Sequence, residues 1–176
     1  MTGYAWIRNE TQEKHKVSGT DSNFRSDTLS EDKINSIIET FRQLNDYNFI
    51  WKFETVDRLR DLPENVMIKP WLSQNDILGY KNVKAFISHS GMLSTLESTW
   101  HGVPVVRIPL FLDQARNLKK LMNAGAAVKV DFNEITVENL KSALLEVLKN
   151  PKYKTNMEPR SKFFSDQPEK PLDRAI

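Results

Sequence analysis

Five short apolar runs of strand type punctuate this chain, at Asn48–Phe53, Asn65–Ile68, Val83–Ser88, Val103–Ile108 and Ala126–Val130. Helical patterns separate most of them, over Ser94–Trp100, Gln114–Asn123 and Val137–Lys149. This alternation constrains the fold more than any other feature. Parallel strands need crossover connections, and the helices that make them cover the sheet. The expected class is α/β, a Rossmann-like parallel sheet with helices on both faces.

The first helix begins at Ser30. Ile34, Ile37, Ile38, Phe41 and Leu44 recur at helical intervals and form one apolar face. Ser30 is the expected cap, and Glu31 and Asp32 sit in the first turn, where the helix dipole favours negative charge. The Val137–Lys149 helix has Thr136 as its cap, Leu140, Leu144, Val147 and Leu148 on one face, and Pro151 beyond its end. Residues 1–28 are polar and weakly periodic; they read as irregular, with one short strand near Lys16–Ser18. A single domain is expected over residues 29–176, its tail from Tyr153 onward packing as short helices and loops. Trp51 and Trp100 are expected in the core.

Composition narrows the function. The 176 residues carry 25 basic and 23 acidic side chains, a formal charge of +2, with no basic run of the kind that binds nucleic acid. The chain has no cysteine, so disulfides and thiolate metal sites are excluded. The most apolar stretch, Val103–Leu112, is too short to span a bilayer and is broken by Arg107 and two prolines. Arg8, Glu10 and Glu13 stand where a signal peptide would need an apolar run. As written, the sequence reads as soluble.

In an open parallel sheet, ligands bind beyond the carboxyl ends of the strands. The Val83–Ser88 strand runs into His89-Ser90-Gly91-Met92-Leu93-Ser94. Gly91 permits a tight turn, and the helix that follows directs free amides and its positive dipole end above the sheet. With the Ser94 hydroxyl and the His89 ring, this suits a phosphate, although one glycine between strand and helix is a common arrangement. Glu97 lies one turn along the same helix face, where a carboxylate can accept hydrogen bonds from vicinal ribose hydroxyls. Trp71, after Pro70 at another strand end, offers a flat ring to a base. Asp113 and Gln114 follow the Val103–Ile108 strand as a further polar pair. Each residue also has a structural reading: Trp71 as core, His89 as a satisfied buried histidine, Glu97 as surface charge, Asp113 as a helix cap.

The segments WLSQNDILG, FISHSGMLSTLES and HGVPVVRIPLFLDQARN closely resemble the donor-binding signature of the UDP-glycosyltransferases, the superfamily that includes the glucuronosyltransferases. The landmarks run in family order from Trp71 to Gln114, and weaker resemblance extends from about Asn48 to the C-terminus. The resemblance implies the C-terminal half of a two-domain GT-B enzyme, transferring sugar from a UDP donor with inversion to a small lipophilic acceptor. It implies that Trp71 stacks on uracil, Gln74 lies beside base and ribose, and Glu97 holds the ribose hydroxyls. His89, Ser94 and the backbone around Gly91 and Leu93 would hold the diphosphate, and Asp113 and Gln114 the sugar. No metal and no cofactor beyond the UDP-sugar is implied.

This sequence departs from the pattern in places. Leu93 stands where many members have asparagine, and Ser90 where glycine is frequent. Val17-Ser18-Gly19-Thr20 resembles a degraded form of the family's first loop. In the family, the acceptor site and the histidine base lie in an N-terminal domain that these residues do not match, so no catalytic residue is assigned. The family implies the lumenal side of the endoplasmic reticulum membrane. The rival reading is a non-catalytic UDP-sugar-binding module that pairs with full-length members. A dinucleotide-binding oxidoreductase would want G-x-G-x-x-G after its first strand, and the chain has none.

Overall fold

The computed structural model describes residues 2–7, 29–89, 91–109 and 122–166. Six strands form one sheet: β1 (Thr2–Ile7), β2 (Tyr47–Lys52), β3 (Val66–Lys69), β4 (Val83–Ser88), β5 (Val105–Arg107) and β6 (Ala127–Lys129). Their order is β3-β2-β1-β4-β5-β6. The helices are α1 (Glu31–Gln43), α2 (Gln74–Leu78), α3 (Met92–Trp100), α4 (Val137–Lys149) and α5 (Lys152–Ser165). All five expected strands form, each shifted or trimmed by at most a few residues, and the Val83–Ser88 and Val137–Lys149 elements have the expected bounds. The strand near Lys16–Ser18, the Val17–Thr20 loop and most of the expected Gln114–Asn123 helix lie outside the described residues.

β2 pairs β3, β4 pairs β5, and β5 pairs β6, all parallel. β1 runs antiparallel to both its neighbours, with Gly3 opposite Trp51 on β2 and Ile87 on β4. Two expectations are thereby corrected: the sheet is not wholly parallel, and residues 1–28 are not irregular throughout. Tyr, Trp and Ile within Thr2–Ile7 favour extended backbone, a preference hidden when the polar segment is weighed as a whole.

The strands alternate side chains between two apolar layers, as buried parallel strands must. Ala85 and Ile87 of β4 and Val106 of β5 join α1 and α4 on one face. Phe86 and Val105 join Leu78 of α2 and Met157 of α5 on the other. The first layer centres on aromatic contacts. Phe41 stacks on Phe49 with centroids 4.1 Å apart, and Trp51 meets Phe41 and Phe53 edge-on at 5.9 and 4.8 Å. Trp51 is fully buried, as expected.

Trp100 is not in the core: it is 41% exposed. The reason lies in α3, which buries Ser94, Ser98 and Thr99 and turns Met92, Leu93, Leu96 and Trp100 outward. The buried hydroxyls of Ser98 and Thr99 are satisfied by the Thr95 carbonyl, at 3.1 and 2.7 Å. The segment after Tyr153 differs as well. α5 is one continuous helix through Pro159, held by buried Tyr153 and Met157 one turn apart. It also braces the end of α3: Lys154 Nζ donates to the Gly102 carbonyl at 2.9 Å, and Ser161 Oγ donates to that of Trp100.

Ser30 occupies the N-cap position of α1 without making a side-chain cap bond, whereas Thr136 accepts from the Asn139 amide at 3.2 Å. The C-terminal end of α1 depends on buried Asn65. Its Nδ2 donates to the carbonyls of Phe41, Leu44 and Tyr47 at 2.9, 3.3 and 2.9 Å, joining the α1–β2 turn to the start of β3. Removing that donor takes a hydrogen bond from each carbonyl, although those of Phe41 and Leu44 keep the amides of Leu44 and Tyr47, and a lost hydrogen bond is worth about 0.5–1.5 kcal/mol. Asn65→Ala is therefore expected to lower unfolding free energy by about that amount in urea titration, and Asn65→Asp to do no better.

Candidate functional site

β4 ends at buried Ser88, and the chain reverses through His89 into α3, with Gly91 at the N-cap. The turn needs glycine for space rather than for an unusual φ: Gly91 has φ −58°, but a Cβ there would meet His89 Nε2 at 2.8 Å. The imidazole thus lies directly over the glycine. The first backbone bond of α3 runs from the Thr95 amide to the Gly91 carbonyl at 3.0 Å. The amides of Met92, Leu93 and Ser94 therefore precede the helix's own ladder, and the N-cap residue, Gly91, has no side chain to cap them. Such a helix start favours an anion.

α2 delivers Gln74 to α3. Gln74 Nε2 donates to Ser94 Oγ at 3.1 Å and to Glu97 Oε2, so three of the expected residues form one hydrogen-bonded group. A carboxylate has about four acceptor positions, so a single amide bond leaves Glu97 capacity for a ligand. A second link, missed in the sequence, lies beside it: His101 Nε2 is 2.9 Å from Asn75 Oδ1. Burial holds the His101 imidazole below the ordinary histidine value, against the pull of Glu97 and Asp76.

Trp71 lies just beyond the carboxyl end of β3. It is 41% exposed, which excludes the core reading, and Lys52 Nζ stands 5.5 Å from its ring centroid. Leu93 is exposed at the start of α3 and Ser94 is buried beneath it. Ser90, Asp113 and Gln114 lie outside the described residues.

Sequence reading also gave Arg107 no role beyond interrupting an apolar run. It is the last residue of β5 and 1% exposed. Its Nη2 donates to Thr95 Oγ1 at 3.0 Å, and Thr95 Oγ1 in turn donates to the Gly91 carbonyl at 2.9 Å. A cation inside an otherwise apolar buried strand was the available signal.

The layered α/β sheet with a helix starting at its carboxyl edge matches part of the fold of GT-B glycosyltransferases. The glycotransferase of kitacinnamycin superposes with a TM-score of 0.72 over 88% of this chain and 42% of that one, at 21% identity. The glycosyltransferase VinC, solved in complex with DTDP, gives 0.68 over 78% and 34%, at 22% identity. The chain belongs to the UDP-glucoronosyl and UDP-glucosyl transferase family, whose model matches residues 26–176. UDP-glucosyltransferase 2 of Dactylopius coccus is 41% identical over 152 residues, 86% of this chain and 29% of that protein. UDP-glucuronosyltransferase 2B7 of Homo sapiens is 38% identical over 148 residues, 84% of this chain and 28% of that protein. The chain thus spans less than a third of the length of these relatives. Among the described residues, no helix is long and apolar enough to cross a membrane.

The contact between His89 and Gly91 has a direct test. Gly91→Ala must push aside the end of the His89 ring, a flexible side chain, at about 0.5–1.5 kcal/mol if the ring leaves its rotamer. Denaturation should show that loss, and the His89 ring resonances should shift in histidine-selective NMR. Unmoved resonances would show that the ring does not rest on the turn.

Proposed function

We propose that these residues form the donor-binding half of a UDP-glycosyltransferase that moves a sugar from a UDP-sugar to a small lipophilic acceptor. The observation that carries the reading is the Gln74–Ser94–Glu97 group, bonded together beside the uncapped start of α3. A carboxylate for ribose and a helix start for diphosphate are what a nucleoside diphosphate requires. Exposed Trp71 supplies a surface on which uracil stacks. In this reading Asp113 and Gln114 hold the sugar hydroxyls, and no metal or further cofactor takes part.

The chemistry follows from charge. As the bond from the anomeric carbon to the diphosphate breaks, negative charge grows on the phosphate oxygens. Fixed amides at the α3 N-terminus and the His89 ring oppose that charge without reorganising. The acceptor hydroxyl needs a base within hydrogen-bond reach, a role given to none of the residues named here.

Calorimetric titration with UDP, UDP-glucose and UDP-glucuronate, beside a product assay with a phenolic acceptor, tests the reading. Uridine-nucleotide binding is the expected outcome, and its absence overturns the proposal. Base stacking contributes about 1–3 kcal/mol by alanine substitution, so Trp71→Ala should weaken UDP roughly tenfold; binding within about twofold of wild type removes the stacking role. Hydrogen bonds to a charged acceptor contribute roughly 1.5–3 kcal/mol. The native chain should therefore prefer UDP to 2′-deoxy-UDP, and Glu97→Ala should lose most of that preference.

A further inference from the structure

Arg107 is a buried cation without a counter-ion among the described residues. Its Nε and Nη1 are buried and make no hydrogen bond, and among the described residues its side chain bonds to the neutral hydroxyl of Thr95. Burial alone pushes its guanidinium down to about 10, still well above neutrality, so the side chain stays charged. An uncompensated charge in the interior is costly, and such groups persist where something pairs with them.

The position of Arg107 indicates what that partner is. In the parallel ladder Arg107 lies opposite Ser88, the residue that precedes the His89–Gly91 turn. Val106 belongs to the layer beneath α1 and α4, and Val105 to the opposite layer. Alternation along β5 therefore directs Arg107 to the face carrying α3. There it reaches Thr95, whose own bond ends on the carbonyl of Gly91, the N-cap of the helix. Two features of independent origin, a helix start and a buried guanidinium with unused donors, thus meet at one end of the sheet, and both favour a negative ligand.

We propose that Arg107 is a positioning residue of the diphosphate site, fixing the Gly91 turn through Thr95 and providing the buried positive charge that favours a nucleoside diphosphate over the nucleoside. This rests on the donor-site reading above. It predicts an effect confined to the phosphates, because Arg107 has no part in base or ribose recognition.

The experiment compares UDP with uridine, by ligand-observed NMR titration, on the native chain and on Arg107→Met, Arg107→Lys and Thr95→Val. Arg107→Met should lower UDP affinity about tenfold or more and leave uridine within about twofold. Arg107→Lys keeps the charge without the planar fork and should fall between. Thr95→Val cuts the link to Gly91 and should lower the UDP-to-uridine affinity ratio about threefold; it carries the test should Arg107→Met fail to fold. A ratio unchanged in Arg107→Met, or in Thr95→Val where that variant stands in, overturns the inference and leaves the donor site standing. Failure of the native chain to bind either ligand overturns both.

Discussion

The turn from β4 into α3, where the end of the His89 imidazole closes on Gly91, sets the geometry of the ligand end. It lies between the end of β4 at Ser88 and the start of α3 at Met92. From that start follow the uncapped amides, the height at which Ser94 and Glu97 meet Gln74, and the reach of Thr95 back to the Gly91 carbonyl.

α3 carries this geometry at an unusual cost. A helix against a sheet normally turns its apolar stripe inward. Here the hydroxyl residues Ser94, Ser98 and Thr99 are the buried ones, and Met92, Leu93, Leu96 and Trp100 face out. The helix is held by polar links instead. α2 contributes through Gln74 and Asn75, α5 through Lys154 and Ser161, and β5 through Arg107. Polar links are directional, so they fix the rotation of the helix about its axis, which apolar packing does loosely. The orientation of Glu97 depends on that rotation.

Much of this was legible in the residues, where local pattern and tertiary environment agreed. α1 and α4 announced themselves because their apolar faces repeat cleanly and bury as written, but for Leu148, which is partly buried. The Val83–Ser88 strand was bounded by its own composition. Local pattern failed where a partner elsewhere decides the outcome. Among its described side chains α5 has two buried anchors, Tyr153 and Met157, and a proline lies within it, so its periodicity was weak. Trp100 looked like core because of its size, but its side of the helix is set by Ser94, Ser98 and Thr99. At the site, the order of Trp71, Gln74, His89, Ser94 and Glu97 was visible in the chain. The bond between Gln74 and Glu97 joins two helices, and nothing in either segment alone reports it. Asn65 was read merely as the first residue of a strand, because its three acceptors come from another part of the chain.

The inverted strand at the centre of the sheet bears on how the molecule is assembled. β2 and β4 each pair with β1 and not with each other, so β2–β3 and β4–β6 become one sheet through β1 alone. Yet β1 precedes both partners in the chain, and its pairing with β4 spans the sequence from Gly3 to Ile87. Pairings this far apart close slowly. Until they close, each half of the sheet presents a raw edge of unpaired amides and carbonyls, the kind that templates association between molecules. Assembly of this sheet is therefore a competition between insertion of β1 and edge-to-edge association of its two halves.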